Sequence, residues 1–366
     1  MGFSRTMQTR YQLLMALLFV AAIIYLENQI QRLEAARDKM EHVLATMQLH
    51  SLQVPQFRRS DDDLAKSNDQ IVIYNRVPKT ASTSFVGLAY DLCQRNGYNV
   101  IHLNTTRNSP IMSIQDQERF VTNVTNWNAK KPVFYHGHLS YLEFGRFGLS
   151  QKPVYINIVR KPLDRLVSYY YFVRWGDDFR PHLRRNKHGD SKTFDDCVEQ
   201  GEPDCAPEKL WMQVPFFCGH AVECWEPGNR WALEEAKRNL VANYFLVGVT
   251  EELEDFVMLL EAALPKFFRG ATSLFQQGNC QEKPGGPPCP AGTGGKSHLR
   301  KTSNKQEPSK ETIRKIQRSQ IWQMENDFYQ FALNQFHHVV RRSLRRVNGE
   351  LTPLGAQFFY EKIRPR

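Results

Sequence analysis

Short apolar runs alternate with longer amphipathic segments between residues 71 and 264. The apolar runs, rich in β-branched and aromatic residues, predict buried strands at 71–75, 99–103, 133–135, 154–159 and 244–249. The intervening segments have apolar residues at helical spacing, and they predict helices at 85–94, 112–127, 163–173, 230–242 and 251–264. This alternation predicts an α/β fold, with a central, mainly parallel sheet flanked by helices.

The pattern changes beyond residue 275. Residues 276–295 are rich in glycine and proline, so they predict a surface insertion rather than a packed element. Cys280 and Cys289 lie within it and are candidates to close it as a disulfide. Residues 311–346 then have a strongly helical pattern.

The first seventy residues are organised differently. Residues 11–26 are uncharged and mostly apolar, with Arg5 and Arg10 before them and Glu27 after them. This run is short for a spanning helix, so a cleaved signal peptide and a buried core helix are the alternatives. The basic flank and the lack of a small-residue cleavage site favour a signal anchor. We therefore predict a cytosolic tail at 1–10, a transmembrane signal anchor at 11–26, a stem and linker at 27–70 whose first part has the apolar spacing of a short coiled coil, and a luminal domain at 71–366.

Charge and cysteine usage narrow the class of partner. The formal net charge is +10, which favours a polyanion: nucleic acid, anionic lipid or acidic polysaccharide. Asn104 and Asn123 begin glycosylation sequons. Two cysteine pairs have the short spacing of local disulfides: Cys197 with Cys205, and Cys218 with Cys224. These features are typical of an oxidising luminal compartment and argue against nucleic acid. No zinc-type cysteine spacing occurs, so no metal is expected.

The segment from the first strand to the first helix is the strongest functional signal. A loop between a buried strand and a helix N-terminus presents backbone N–H groups to an anion. Here the loop adds the positive charge of Lys79 and hydroxyl groups at Thr80, Ser82, Thr83 and Ser84. It lacks the glycines of a Walker A loop, and an ordinary capped turn is the alternative interpretation.

Residues 78–84 resemble the 5′-phosphosulfate-binding loop of PAPS-dependent sulfotransferases. Arg160 follows the fourth strand and Ser168 comes eight residues later, which resembles the 3′-phosphate site of that family. Longer runs resemble the heparan sulfate 2-O-sulfotransferases of the Golgi, and the similarity covers nearly the whole chain: 74–84, 135–138, 168–172, 205–211, 297–302 and 360–363. Two departures are the insertion around residues 279–295 and Lys161, where an acid is expected.

The resemblance implies a P-loop-like sulfotransferase domain and a set of site residues. His138 is the expected general base, His136 a catalytic or orienting partner, and Lys79 the cation that stabilises the leaving phosphate. The residues expected to bind PAPS are Lys79, Thr80, Ala81, Ser82, Thr83, Ser84, Arg160, Ser168, Ser297, Thr302 and Lys305. The residues expected to bind polysaccharide, several of them arginines suited to sulfate and carboxylate, are Arg76, His102, Arg107, Asn108, Arg180, Arg184, Arg185 and Arg300.

The predicted reaction is sulfuryl transfer from PAPS to the 2-hydroxyl of a uronic acid, mainly iduronate, in heparan sulfate. The resemblance also implies a homotrimer and a type II protein of the Golgi membrane. Three alternatives stay open. One is a P-loop kinase or NTPase, another is a uronyl 2-O-sulfotransferase acting on dermatan or chondroitin sulfate, and the third is a glycosaminoglycan-binding protein without catalysis.

Overall fold

The computed structural model describes residues 70–105, 109–148, 152–278, 301–347 and 350–354. The predicted tail, anchor and stem up to residue 69 lie outside these residues. So do the proposed Cys280–Cys289 pair and four predicted site residues: Arg107, Asn108, Ser297 and Arg300. Within the described part of the chain, no helix is long and apolar enough to cross a membrane.

Five parallel strands form the central sheet, in the order β2-β3-β1-β4-β5. The strands are β1 Ile71–Asn75, β2 Asn99–Leu103, β3 Val133–Gly137, β4 Val154–Val159 and β5 Tyr244–Val249. All five predicted strands are confirmed, and β3 extends two residues further than predicted, through His136 and Gly137. The central strands are buried on both faces, which explains why their sequences are continuous apolar runs.

Helices cover the sheet and continue beyond it. They are α1 Ser82–Asn96, α2 Ile114–Asn126, α3 Pro162–Trp175, α4 Phe194–Glu199, α5 Gln213–Cys218, α6 Arg230–Asn243, α7 Leu253–Ala263, α8 Pro265–Phe268, α9 Ala271–Gly278, α10 Lys310–Gln317 and α11 Gln320–Ser343. The five helices predicted between residues 85 and 264 are confirmed. The short helices α4, α5 and α8 were not predicted, because four to six residues carry too little helical periodicity. The α/β fold with a parallel sheet flanked by helices is thus confirmed.

The helical prediction for 311–346 is confirmed over 311–317 and 320–343 and is wrong at 344–346, which belong to a strand. The chain forms α10 and α11, and Ser319 separates them because its side chain accepts a hydrogen bond from the Trp322 N–H and starts a new helix. After α11 the chain turns into β6 Leu344–Val347, which pairs antiparallel with β7 Glu350–Pro353. The predicted insertion also begins too early, since residues 276–278 belong to α9.

Close packing of aromatic side chains joins the helices to the sheet. Phe85 of α1 lies 5.4 Å from Phe256 of α7 and 5.7 Å from Phe268 of α8, measured between ring centroids. Gly248 of β5 permits the approach of α7, because a Cβ atom there would lie 2.3 Å from the Phe256 ring. The elements that carry the site described below are therefore held in place by closely packed side chains.

Two disulfides are formed, at the pairs that the cysteine spacing indicates. Cys197–Cys205 joins α4 to the following loop, and Cys218–Cys224 closes the turn after α5. Among the described cysteines, Cys93 is free and half-buried. Both disulfides are buried within the apolar clusters of the protein.

We expect Cys205→Ser to lower the melting temperature by about 5 °C, because removing a local disulfide costs about 2 kcal/mol in a domain of this size. Thermal unfolding without reductant measures the change. Cys93→Ser is the matched control, since it removes a thiol without breaking a cross-link, and it should leave the melting temperature within about 1 °C of wild type. Equal effects of the two substitutions would contradict the structural role of this disulfide.

Candidate active site

The carboxyl ends of β1, β3 and β4 meet at one edge of the sheet. β1 lies at the centre, with β3 on one side and β4 on the other, so the chain leaves β1 where the strand order reverses. In parallel α/β sheets, ligands bind in the crevice at this position. The residues that follow these strands are those with candidate chemistry: the loop with Lys79 after β1, His138 after β3, and Arg160 after β4.

The loop from β1 to α1 has an unusual backbone. Lys79 has φ 67° and Ala81 has φ 58°, and both are left-handed backbone conformations that residues other than glycine rarely adopt. Thr80 between them is buried, and its hydroxyl donates to the Val77 carbonyl at 3.0 Å. Strain of this kind costs about 1–3 kcal/mol per residue and concentrates at functional sites. The loop leads directly into the N-terminus of α1, and a helix N-terminus is a place where proteins bind anions.

Lys79 is a partly buried cation at the centre of this crevice. Its Nζ atom lies 4.0 Å from the centroid of the Phe172 ring. Burial lowers the pKa of Lys79 to about 8; Asp177 opposes this shift, while Arg160 and Arg185 add to it. An anion bound in the loop would offset the burial and the two guanidinium charges, and would therefore stabilise the charged amine.

Arg160 links the loop to the end of β4. Its Nη1 atom donates to the Lys79 carbonyl at 3.3 Å. Ser168, which is buried on α3, lies within hydrogen-bonding distance of Thr302, with 3.1 Å between the two hydroxyl oxygens. The backbone around Thr302 is tied to the end of α3, because Ser303 N donates to the Gly176 carbonyl. The structure thus brings three of the predicted nucleotide-binding residues, Arg160, Ser168 and Thr302, to the same side of the crevice as the loop.

Lys305 lies further along the same segment and pairs with Glu307, with 2.7 Å between Nζ and Oε1. Ser82 and Ser84 are buried in the first turn of α1, whereas Thr83 is exposed. Ala81 is the residue that caps this helix. The described members of the predicted nucleotide set therefore surround one helix N-terminus and the start of α3, with Lys305 at the periphery.

His138 is held by Arg76 at both ring nitrogens. The Nδ1 atom lies 2.8 Å from the Arg76 carbonyl oxygen, and Nε2 lies 3.0 Å from Nη2 of the Arg76 guanidinium. Since a guanidinium can only donate, Nε2 is the acceptor and Nδ1 carries the proton. Burial and the Arg76 charge lower the pKa of His138 to about 4. In this neutral tautomer the unprotonated nitrogen is Nε2, the atom that a general base would use, and in the free protein its lone pair accepts from Arg76.

His136 belongs to a different cluster. It is buried, its Nε2 lies 3.1 Å from the Tyr90 hydroxyl, and its ring stacks on His102 with 4.8 Å between centroids. Burial is the main cause that lowers the pKa of His136 to about 3. The residue between the two histidines is Gly137. A larger residue would not fit there, because a Cβ atom would lie 2.6 Å from the Leu103 carbonyl oxygen. Tyr90 lies on α1, directly after the loop, and was not predicted, because its exposure and its contact with His136 are visible only in the structure.

Of the predicted polysaccharide-binding residues, Arg76, His102 and Arg185 lie around the crevice. Arg185 has its guanidinium carbon 4.2 Å from the Phe172 centroid and its Nη2 3.5 Å from Asp177. Arg180 and Arg184 are exposed on the same loop. Sequence reasoning did not identify Phe172 or Asp177, which organise the cations here. The two predicted glycosylation residues, Asn104 and Asn123, are exposed.

Arg160→Ala is expected to weaken nucleotide binding roughly 10- to 100-fold, which is the contribution of hydrogen bonds to a charged group. Calorimetric titration with adenosine 3′,5′-bisphosphate measures the dissociation constant. Arg119→Ala, which removes an exposed arginine on α2, is the matched control and should bind as wild type does. Equal affinities of wild type and Arg160→Ala would contradict the nucleotide site.

Among the described residues, no group of three or more His, Cys, Asp or Glu side chains is arranged to hold a metal ion. The turn after β4 carries Arg160 and Lys161 rather than the acid of a Walker B strand.

Comparison with known proteins identifies the family. The family model described as "Sulfotransferase family" matches residues 62–332. The chain belongs to the sulfotransferase family. This sulfotransferase is 57% identical over 370 residues to "Heparan sulfate 2-O-sulfotransferase 1" of Gallus gallus and 55% identical over 373 residues to the protein of that name from Homo sapiens; each alignment covers 100% of this chain and 99% of the relative. It is also 52% identical over 305 residues to "Heparin sulfate O-sulfotransferase" of Drosophila melanogaster, covering 83% of this chain and 82% of the relative. The predicted resemblance to heparan sulfate 2-O-sulfotransferases, and the prediction of a sulfotransferase enzyme, are confirmed.

Proposed function

We propose that this sulfotransferase transfers a sulfuryl group from PAPS to the 2-hydroxyl of uronic acid, mainly iduronate, in heparan sulfate. The observation that carries the proposal is the meeting of the Lys79 loop and the unprotonated Nε2 of His138 at one sheet edge. The names of the relatives, which match the full chain at 55–57% identity, support the acceptor.

The described residues fit the two anionic ends of PAPS, which supplies the sulfuryl group. The strained loop and the N-terminus of α1 suit the 5′-phosphosulfate, because both direct backbone N–H groups at an anion. Arg160 and Ser168 suit the 3′-phosphate, since a guanidinium binds phosphate with two parallel hydrogen bonds and a hydroxyl adds a directed one.

In the proposed reaction the acceptor hydroxyl oxygen forms a bond to sulfur, and its proton passes to Nε2 of His138. The bond between sulfur and the 5′-phosphate oxygen breaks, and the charge left on that oxygen faces Lys79. Such transfers depend mainly on positioning and charge stabilisation. Arg76 occupies Nε2 in the free protein, so the acceptor must displace it.

Binding of the polyanionic acceptor also changes the pKa of the general base. Arg76 lowers the pKa of His138 through its positive charge. A sulfate or carboxylate of the polysaccharide that pairs with Arg76 would cancel this effect and raise the pKa of His138. His102 and Arg185 provide further contacts for these groups, and His136 orients the edge of the crevice through Tyr90.

The free-enzyme pKa values predict the pH dependence of kcat/KM. As pH rises through about 8, Lys79 loses its proton and activity falls; as pH falls toward about 4, His138 gains a proton and activity falls. Arg76→Gln removes a positive charge beside His138, so it should raise the pKa of His138 and move the acid limb to higher pH. Initial rates measured between about pH 4 and pH 9 test this. An acid limb at the same pH in wild type and variant would contradict the role of Arg76.

We propose that the protein acts in the lumen of the Golgi, anchored as a type II membrane protein by residues 11–26. The uncharged run with its basic flank, the exposed Asn104 and Asn123, and the two disulfides support this location. We further propose a homotrimer, on the basis of the family resemblance. Light scattering of the full-length protein in detergent tests the trimer, and a monomeric mass would end that proposal.

A transfer assay with labelled PAPS tests the function. The full-length protein in detergent is offered N-sulfated heparosan, partly desulfated heparan sulfate or dermatan sulfate, with and without excess chelator. Label on the heparan-type chains, unchanged by the chelator, is expected. Label on dermatan alone would change the acceptor to that of a uronyl 2-O-sulfotransferase. Heparin binding without any transfer would indicate a non-catalytic glycosaminoglycan-binding protein, and transfer that is lost in excess chelator would contradict the metal-free mechanism.

A further inference from the structure

Helix α11 carries two side chains, one turn apart, that are linked through Gln213 and Glu251 to the turn between β4 and α3. Glu325 and Tyr329 are both buried on the same face of the helix. The turn that they approach carries Arg160. Neither side chain faces the reacting groups, so their polar atoms have no part in the mechanism described above.

The first connection runs from Glu325 through Gln213 to Arg160. Gln213 is completely buried, and its carboxamide holds the main chain of Arg160 on both sides: Oε1 accepts from Arg160 N at 2.8 Å, and Nε2 donates to Arg160 O at 2.9 Å. Glu325 in turn accepts from Gln213 Nε2 at 3.3 Å. The backbone of Arg160 is therefore fixed by Gln213, whose side chain is fixed in turn by Glu325.

Glu325 also holds the chain on either side of Gln213. Its Oε1 atom accepts from Met212 N at 2.8 Å and from Val214 N at 3.1 Å. Burial raises the pKa of Glu325, while Arg165 and these donors oppose the shift. A fully buried acid is costly to retain, and apolar residues of similar size often stabilise a fold as well or better. A function in orienting Gln213 accounts for its presence.

The second connection runs from Tyr329 through Glu251 to Lys161. The Tyr329 hydroxyl donates to Glu251 Oε2 at 3.2 Å, and Glu251 Oε1 accepts from Lys161 N at 3.1 Å. Lys161 follows Arg160 directly and is the residue that caps α3. Both residues of the turn are thus fixed from α11, through independent partners.

We propose that four polar side chains position Arg160 for the 3′-phosphate of the nucleotide: Gln213, Glu325, Glu251 and Tyr329. The inference rests on the proposed function, because it takes the 3′-phosphate as the ligand of Arg160. A guanidinium gains full affinity for phosphate only when its own main chain is held in place, since ordering it on binding costs free energy. These residues act through Arg160 and do not touch the nucleotide.

The test compares two nucleotides that differ only in the 3′-phosphate. Dissociation constants of the full-length protein in detergent are measured by calorimetry for adenosine 3′,5′-bisphosphate and adenosine 5′-phosphate. Wild type should prefer the bisphosphate by roughly 10- to 100-fold. Gln213→Leu and Glu325→Gln should lose most of that preference while binding adenosine 5′-phosphate as wild type does. Tyr329→Phe, which removes one hydroxyl and retains the core volume, should reduce the preference about threefold.

Two matched controls separate positioning from stability. Asn239→Leu removes a buried amide that holds the carbonyls of Phe217 and Cys218 at the other end of α5. Tyr98→Phe removes a buried hydroxyl that donates to the Ala89 carbonyl. Both should lower the melting temperature and leave the nucleotide preference unchanged. In addition, Gln213→Leu should have no further effect on the preference in an Arg160→Ala background, because coupled residues are not additive.

The possible failures are distinguishable. If wild type binds both nucleotides equally, the proposed donor site is wrong, and the positioning inference falls with it. If wild type prefers the bisphosphate and Gln213→Leu, Glu325→Gln and Tyr329→Phe all retain that preference, only the positioning inference is overturned. Tyr329→Phe decides the matter even when the other two variants do not fold, because it changes neither shape nor charge in the core.

Discussion

Lys79→Ala reduces kcat by about 10²- to 10³-fold, the loss typical when one group that stabilises developing charge is removed. The amine belongs to the strained loop, where the leaving phosphate oxygen is expected. Burial and the neighbouring Arg160 and Arg185 lower its pKa, so a bound anion would stabilise its charged form. Since the loop N–H groups and Arg160 stay in place, affinity for adenosine 3′,5′-bisphosphate should fall by no more than about tenfold. Steady-state rates with saturating PAPS and calorimetry with the bisphosphate give the two quantities.

Lys152→Ala is the matched control for this substitution. Lys152 is exposed and precedes β4, so it lies at the opposite end of the sheet from the crevice. The substitution Lys152→Ala removes the same charge as Lys79→Ala and should leave kcat unchanged. A loss of kcat in Lys152→Ala equal to that in Lys79→Ala would show that net charge, rather than the place of the amine, sets the rate.

His138→Ala reduces kcat by about 10²- to 10⁴-fold, the contribution of a general base. The Nε2 lone pair is the atom lost, while Arg76 and the donor loop remain, so binding of heparin and of the nucleotide should persist. Residual activity of His138→Ala should lack the acid limb of the wild-type pH profile, because that limb is assigned to this imidazole. Single-turnover assays with preformed donor complex measure the chemical step.

His338→Ala provides the control for the loss of an imidazole. His338 lies near the end of α11, partly exposed and remote in sequence from the strand ends that form the crevice. It should retain wild-type activity and pH dependence. Normal turnover in His138→Ala would remove this residue from the mechanism and direct attention to His136.

The sequence predicts the sheet well because its central strands are buried on both faces and its strands are short apolar runs rich in β-branched and aromatic residues. The end of α10 is different: a single hydroxyl, Ser319, starts a new helix inside a continuous helical pattern. Helical spacing alone does not reveal such a break, although a serine three residues before Trp322 is a capping signal that could have been used.

Some residues of the candidate site were likewise predicted from the sequence, and others were not. Lys79, His138 and Arg160 were predicted chiefly from the family resemblance, and all three lie after strands whose carboxyl ends are at the ligand-binding edge. Phe172, Tyr90 and the connection from Glu325 to Gln213 were not, since they depend on contacts between elements distant in the chain. Gln213 and Glu325, for example, are 112 residues apart in sequence. Their polar character in buried elements becomes informative only when the partners are known.

The position of the transferred sulfate tests the central claim most directly. The full-length protein is incubated with labelled PAPS and C5-epimerised N-sulfated heparosan, which contains both iduronate and glucuronate, and the product is cleaved with nitrous acid to disaccharides and separated. We predict label at the 2-position of uronate, mainly iduronate, with the initial rate of labelling at least about 100-fold lower in the His138→Ala reaction. Label on glucosamine instead, at any position, would contradict the account.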